Sequence, residues 1–546
     1  MNLWWMGAAV AAMLAAAPVP SPAPKYTISG VVVNEHTNQP IRRALVTIME
    51  NDHPDRTAAL YTAADGRFTF TDVPAGKFTM QAAVHGVERL LDQDEGFSTG
   101  IVTGPGLDSE HVVFRFPAMA SIGLKIQDDQ GEPVPNAQVF VFGERVNNGW
   151  QQMNFIEQST SDNEGETRLA HLEPGTRYYL AVSARPWYAQ DRTGMPNADQ
   201  AELASLDVAY PLTYYPNTQS AEAAAPITLG PGERATLQMT LHAVPAVKIS
   251  IDGLPGTAED QPERRHMVRS FVEAVGPGGL RFMVNTFGYQ AGDGDFEIHG
   301  LAPGSYLVSL SRFGMRGGMP QALGTARVNA SGDTRISVND LPKTSVSGKL
   351  TIEGGGTPNG LAVWLTEPAT GSTAMCRAAH DGAFDCREGR GFGAVVEPAR
   401  YQIRLANTNE YYVKSVSVQG ARYAGQLLDV REGASITLAV VAAKGVGKLD
   451  GIALRDGKPV PGAMVLLVPR DDSSGVDVPR DQSDSDGTFT LPNVHPGHYY
   501  LLAIDHGHNL AYRNPRVLAP YLANAQKLDV PLLGAQRVSV NVQPRQ

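Results

Sequence analysis

An all-β chain, arranged as a tandem array of about five small β-sandwich domains, is the fold class this sequence predicts. Three observations predict it. The chain is too long for one core, a turn-strand-turn-strand unit recurs at domain-sized intervals, and helical patterning is scarce. At 546 residues the length prior gives roughly three to five domains. Hydrophobic residues make 42% and charged residues 18% of the chain, which excludes wholesale disorder. With 56 Gly and 38 Pro it fits many short strands joined by tight turns. The formal net charge of −11, without a Lys/Arg run or basic stripe, argues against nucleic acid as a partner.

The amino terminus reads as an address rather than a domain. Met6 to Ala17 (MGAAVAAMLAAA) is a run of 12 apolar residues, short of the roughly 20 that span a bilayer. It suits the apolar centre of a secretory signal, with Ala15-Ala16-Ala17 as small residues for cleavage. It departs from the pattern in having no Lys or Arg before the run. Residues 1–24 are therefore read as signal peptide and Pro-rich spacer, and no transmembrane segment is expected after them. The expected location is exported: periplasmic, outer-surface associated or extracellular.

The recurring unit appears as ADGRFTFTDVPAGKFTMQAA (Ala64 to Ala83), NEGETRLAHLEPGTRYYLAV (Asn163 to Val182), GDGDFEIHGLAPGSYLVSL (Gly292 to Leu310) and SDGTFTLPNVHPGHYYLLAI (Ser485 to Ile504). A weaker copy runs from His380 to Leu405. Asp-Gly or Glu-Gly marks a tight turn, because Gly tolerates positive φ. Alternating apolar residues such as Phe68 and Phe70 follow, the period of a half-buried strand. A Pro-containing turn then reverses the chain, and an aromatic (Phe78, Tyr178, Tyr306, Tyr401, Tyr499) opens the next strand. The first-turn glycines stand at 66, 165, 294, 382 and 487, about 90 to 130 residues apart, the size of one sandwich rather than a solenoid repeat.

A second signature precedes most copies: ISGVVVNEHTNQPIRRALVTI from Ile28, LKIQDDQGEPVPNAQVFVF from Leu124 and LDGIALRDGKPVPGAMVLLV from Leu449. Its Pro falls between two strands, where a missing N–H removes no ladder bond. A degraded version starts at Val346, and the third domain lacks it. The expected domains are 25–117, 118–244 with an insertion, a divergent 245–341, 342–444 with the cysteine pair, and 445–546. The one helical candidate is Asn197 to Ala209, inside the insertion of the second domain.

The pairing of these two signatures resembles the carboxypeptidase regulatory-like domain family, most closely at Ser29 to Ala83 and Gly451 to Ile504. The resemblance implies an Ig-like or transthyretin-like, carbohydrate-binding-like β-sandwich, in tandem copies within an exported bacterial protein. It does not imply a peptidase. In metallocarboxypeptidases such a domain follows a separate zinc-bearing catalytic domain, whereas here β units account for nearly every segment and H-E-x-x-H is absent. Fold alone does not assign function.

Cys376 and Cys386, the only cysteines, flank an Asp381-Gly382 turn, so a hairpin could bring them close enough for a disulfide; a buried free pair is the alternative. Trp150 (in NNGWQQ), Trp187-Tyr188 (in RPWYAQD) and Tyr214-Tyr215 are candidate carbohydrate platforms, since rings beside hydrogen-bonding side chains stack on sugars; aromatics more often fill cores. His495, His498, His506 and His508 are split by a strand, which disfavours one shared metal ion. Asp484, Asp486 and Gly487 echo a calcium loop without its distal Glu and read better as a turn. No nucleophile elbow, phosphate loop or dinucleotide fingerprint occurs, so neither catalytic residues nor a cofactor are expected. The expectation is a non-catalytic exported binding or structural protein, with a polysaccharide or cell-envelope protein as partner. The alternative is a secreted hydrolase acting on glycosides or peptides, its site in the second or third domain.

Overall fold

The structure is a computed structural model that describes residues 24–85, 87–92, 97–189, 205–253, 267–284, 287–290, 296–313, 321–342, 344–386, 396–406, 408, 410–424, 426–445, 447–470, 478–507, 509–532 and 534–546. The apolar run Met6 to Ala17, the turn glycine Gly294 and His508 lie outside these residues. The described chain is built almost wholly of strands, with one eight-residue helix, Pro515–Leu522. Of the expected helix from Asn197, only Ser205 and Leu206 among the described residues are helical, and Val208–Ala209 is a strand instead.

One topology repeats five times. In each unit an opening strand runs parallel to the closing strand and antiparallel to the strand after the first turn. In the first unit Tyr26–Asn34 pairs with Val112–Phe116 and Arg67–Val73 in this way. The opening strands Ala120–Asp128, Val247–Asp252, Ser345–Ile352 and Gly447–Arg455 make the same two pairings. The other sheet centres on an antiparallel pair, Leu45–Glu50 with Gly76–Val84 in the first unit, and its counterparts recur in the other four. Apolar side chains from both sheets meet in a separate core within each unit. The third unit lacks the opening signature in sequence yet has the same pairings. Val247, Ile249 and Ile251 supply its inward face by simple alternation.

The turn glycines fit where a side chain cannot. Gly165 has φ +72°, and a Cβ there would lie 2.3 Å from the Ile126 carbonyl oxygen. The glycine's own carbonyl accepts from an amide of the opening strand: Gly66 from Val32 (2.9 Å), Gly165 from Ile126, Gly382 from Leu350 and Gly487 from Ala453 (each 2.8 Å). A hydroxyl just before the turn reinforces three units. Thr62, Ser161 and Ser483 each donate to a carbonyl of the Pro-containing bend, at Ile41, Val134 and Val460, and accept from the amide three residues on, at Ala44, Ala137 and Ala463.

The repeated aromatic is a tyrosine corner. Tyr306, Tyr401 and Tyr499 donate their hydroxyls to the carbonyl four residues earlier, at Ala302, Glu397 and His495. Tyr178 donates to the carbonyl five residues earlier, at Glu173. The first unit has Phe78, and the matching carbonyl, Pro74, accepts instead from the Thr103 hydroxyl at 2.6 Å. A hydroxyl from another strand thus takes the place of the missing phenol on this carbonyl.

The units fold back on one another. Phe140 and Phe142 of the second unit pack on Phe282 of the third, with ring centroids 4.6 and 5.3 Å apart. That explains why Gln138–Asn147 is apolar on both faces: Val139 and Val141 fill its own core, while the two Phe face its neighbour. In the fifth unit Met464–Pro469 is buried on both faces for a similar reason. Helix Pro515–Leu522 covers the outer face with Leu518 and Tyr521, and Asn514 caps it by accepting from the Arg516 amide. Contacts between the first and fifth units bring the two ends of the array together.

Candidate binding surface

The strand Arg177–Ser183 of the second unit ends in a tight excursion, Ala184 to Ala189. Pro186 starts a turn in which the Ala189 amide donates to the Pro186 carbonyl (3.0 Å) and the Arg185 guanidinium donates to the Ala189 carbonyl (2.9 Å). This fixes the two rings that follow the proline. Trp187 is 74% exposed, the largest exposure among the large apolar side chains of the described residues. Tyr188 meets it edge-on, with centroids 5.7 Å apart at 90°. Burial pushes the Tyr188 phenol up, and the nearby carboxylates of Asp128, Asp129 and Glu132 push it further. The same causes, burial first, raise buried Tyr210. Asp128 is occupied, its Oδ1 accepting from the Gln130 and Glu132 amides (2.9 and 2.8 Å). Asp129, Gln130 and Glu132 are exposed. An exposed indole thus meets a tyrosine whose phenol lies near the carboxylates of this turn.

The other platform candidates sit differently. Trp150 is half-buried at a hairpin tip, with the Arg513 guanidinium of the fifth unit 5.6 Å from its ring centre. Arg513 also donates to the Asn148 and Gly149 carbonyls. Tyr214 is 2% exposed, so the expectation that it presents a ring face is corrected: its hydroxyl donates to the Val275 carbonyl of the third unit. Tyr215 is half-buried against the second core. The sequence signal for these residues was polar neighbours, and polar neighbours also occur where two domains meet.

A cleft of about 820 Å³ opens between the second and third units, lined by Arg177, Tyr179, Tyr214, Glu222, Tyr306 and Arg327 among others. Its carboxylates are engaged. Glu144 accepts from two residues of the lining, the Tyr179 hydroxyl (2.8 Å) and Arg177 (3.2 Å). The Ser220 hydroxyl, foremost, holds Glu222 below the usual carboxylate range. Glu222, held in its ionised form, is thereby a hydrogen-bond acceptor rather than a proton donor on this wall of the cleft.

Cys376 and Cys386 are joined in the fourth unit, with Cα atoms 4.5 Å apart across the hairpin and both side chains buried. The histidines are dispersed. His495 packs on the Tyr412 ring, His498 Nδ1 lies 2.6 Å from Asp529, and His506 Nε2 lies 3.8 Å from Asp505. Among the described residues no group of three or more His, Cys, Asp or Glu is placed to hold a metal ion, and no helix is long and apolar enough to cross a membrane. Asp484 of the Asp-Gly turn is buried and reaches Lys77 of the first unit at 2.6 Å.

Residues 27–93 match the carboxypeptidase regulatory-like domain family. The matched stretch lies in the first unit and holds the opening strand, the Asp-Gly turn and the Pro-Ala-Gly turn described above. No curated protein matches the sequence. Among solved structures, the chain is similar to GBS52, the minor pilin of Streptococcus agalactiae, at 13% identity over 40% of this chain and 97% of that one, with a TM-score of 0.21. The shaft pilin SpaA of Lactobacillus rhamnosus GG aligns at 8% identity over 40% and 98%, with a TM-score of 0.20. The Bacillus anthracis TIE protein aligns at 11% over 96% and 75%, with a TM-score of 0.16. TM-scores this low leave the role of the chain to be read from its own residues.

Proposed function

We propose that this chain is an exported, non-catalytic scaffold of tandem β-sandwiches that binds a polysaccharide of the cell envelope through Trp187 and Tyr188. The observation that carries the reading is the 74% exposure of Trp187, edge-on to Tyr188, whose phenol lies near the exposed acceptors Asp129 and Glu132. An indole left in water forgoes the burial most tryptophans obtain, and stacking on a sugar ring recovers it. The acceptors match sugar hydroxyl donors. The non-catalytic part is supported by the uses already found for the repeated polar groups: turn carbonyls, hydroxyls and tyrosines close the same structural bonds in unit after unit. Pairing of the two cysteines supports an oxidising compartment.

Calorimetric titration of the full chain with purified envelope polysaccharides tests this. Trp187→Ala is expected to weaken binding roughly tenfold, the equivalent of about 1.4 kcal/mol of stacking. Trp150→Ala, whose ring face is already covered by Arg513, should leave affinity unchanged. Equal affinity of Trp187→Ala and the parent chain would remove the platform from the proposal, and turnover of the polysaccharide would overturn the non-catalytic reading.

A further inference from the structure

The turn Asp484-Ser485-Asp486-Gly487 is the fifth unit's copy of a turn that the second unit also carries at Asp162 to Gly165. The two copies close the same backbone bonds, Gly165 to Asp162 and Gly487 to Asp484. Their first acids behave differently. Asp162 is exposed and folds onto its own turn, its Oδ1 accepting from the Glu164 and Glu166 amides (3.0 and 2.8 Å). Asp484 is 3% exposed and accepts from none of its own turn's amides: Oδ1 accepts from the Gly100 amide (3.1 Å) and Oδ2 meets Lys77 Nζ (2.6 Å), both in the first unit, while the Thr488 hydroxyl of its own turn donates to Oδ2 at 3.5 Å. Around it the Ser485 amide donates to the Gly100 carbonyl and its hydroxyl accepts from Val102. Gln482 donates to the Asp92 carbonyl and the Thr99 hydroxyl. What buries Asp484 is therefore the docking of the first unit, some 380 residues away in sequence.

We propose that this contact is a proton-gated clasp: the first and fifth units hold together most firmly when Asp484 is protonated, and loosen when it ionises. The charged groups around Asp484 are few. Lys77 comes from the first unit's strand Gly76–Val84, Asp481 and Arg480 from the adjoining strand Arg480–Gln482, and Asp486 from the turn, where it is engaged by the Thr488 amide and hydroxyl. The segment Gly100 to Val102 presents backbone alone. Lys77 favours the ionised form, whereas burial and Asp481 oppose it; burial is the largest influence and pushes the Asp484 carboxyl up to about 6. Asp481 is itself raised by burial. Undocking returns Asp484 to water and toward the ordinary value of 3.8. The docked form thus takes up a proton, so docking is strengthened on the acid side and that gain is lost as pH rises through about 6.

Hydrogen exchange of the full chain, corrected for the intrinsic pH dependence of the rates, tests the clasp at the Gly100 and Val102 amides. Between pH 5 and pH 7.5 their protection is expected to fall roughly tenfold, the part of the shift from 3.8 to about 6 that lies inside this window. Asp484→Asn, a neutral stand-in for the protonated acid, should hold protection high and flat. Lys77→Met should lower protection at pH 7.5 and leave it nearly unchanged at pH 5. Unchanged exchange in Met464–Pro469 certifies that the fifth unit is folded. If Asp484→Asn loses that protection, the comparison of Lys77→Met with the parent chain decides. A flat profile for the parent chain, or the parent's slope surviving in Asp484→Asn, would overturn the proposal.

Discussion

Replacing Gly165 by Ala isolates how much of a repeated turn is backbone conformation and how much is close packing, because Gly175, ten residues on, supplies the control. Both glycines have left-handed backbones, φ +72° and +79°. A Cβ on Gly175 meets nothing within 4 Å, whereas on Gly165 it would stand 2.3 Å from the Ile126 oxygen and 3.0 Å from the Val134 amide nitrogen. The conformational cost of an L-residue there is about 1 kcal/mol and is common to both. At Gly165 the strand Ala120–Asp128 must also move, which strains the 2.8 Å bond from the Ile126 amide to the Gly165 carbonyl. A weakened hydrogen bond and local overpacking add about 2 kcal/mol. Gly165→Ala is therefore expected to destabilise the second unit by about 3 kcal/mol, and Gly175→Ala by about 1 kcal/mol. A global unfolding midpoint is poorly defined in a multi-domain chain, so the assay is hydrogen exchange at the Ile126 amide. There Gly165→Ala should accelerate exchange roughly a hundredfold and Gly175→Ala less than tenfold. Equal acceleration in the two variants would refute the packing contribution.

Three further outcomes follow from the same framework. Thr103→Val removes the hydroxyl that serves the Pro74 carbonyl in the first unit and accepts from Gly76, so it should cost about 1–2 kcal/mol, read as faster exchange in Gly76–Val84. Tyr499→Phe removes only the corner bond to His495 and should cost about 1 kcal/mol, with the ring's packing kept, by the same measurement in the fifth unit. Reduction of Cys376–Cys386 opens a loop of 10 residues' separation and should destabilise the fourth unit alone by about 2–3 kcal/mol, seen as exchange in Ala362–Thr366 with the other units unmoved.

The internal repeat was legible because its determinants are local. A tight turn needs Gly, an alternating strand needs period-two apolar residues, and the aromatic after the Pro turn needs a carbonyl only four or five residues back. Each is visible within about ten residues, so five units could be read from short segments even where copies diverge. The Phe at position 78 was visible too, but its compensation by Thr103 was not, since that hydroxyl arrives from another strand. The third unit shows the converse. Without the opening signature it still closes the same sheets, because alternation at Val247, Ile249 and Ile251 suffices to direct one face inward.

The candidate site was legible only in part. Polar neighbours singled out five aromatic residues, yet exposure distinguishes them, and exposure is a property of what packs against a ring from elsewhere in the chain. Val275 closes over Tyr214, Arg513 covers Trp150, and the described residues leave Trp187 in solvent. Asp162 and Asp484 make the point most directly. They occupy matching places in one turn and close the same backbone bond. Only the tertiary structure separates them, by docking the first unit onto Asp484 and leaving Asp162 in water. Hydrogen bonds within a turn are written in the turn's own residues. The desolvation of a carboxylate is set by a surface hundreds of residues distant, and no local pattern encodes it.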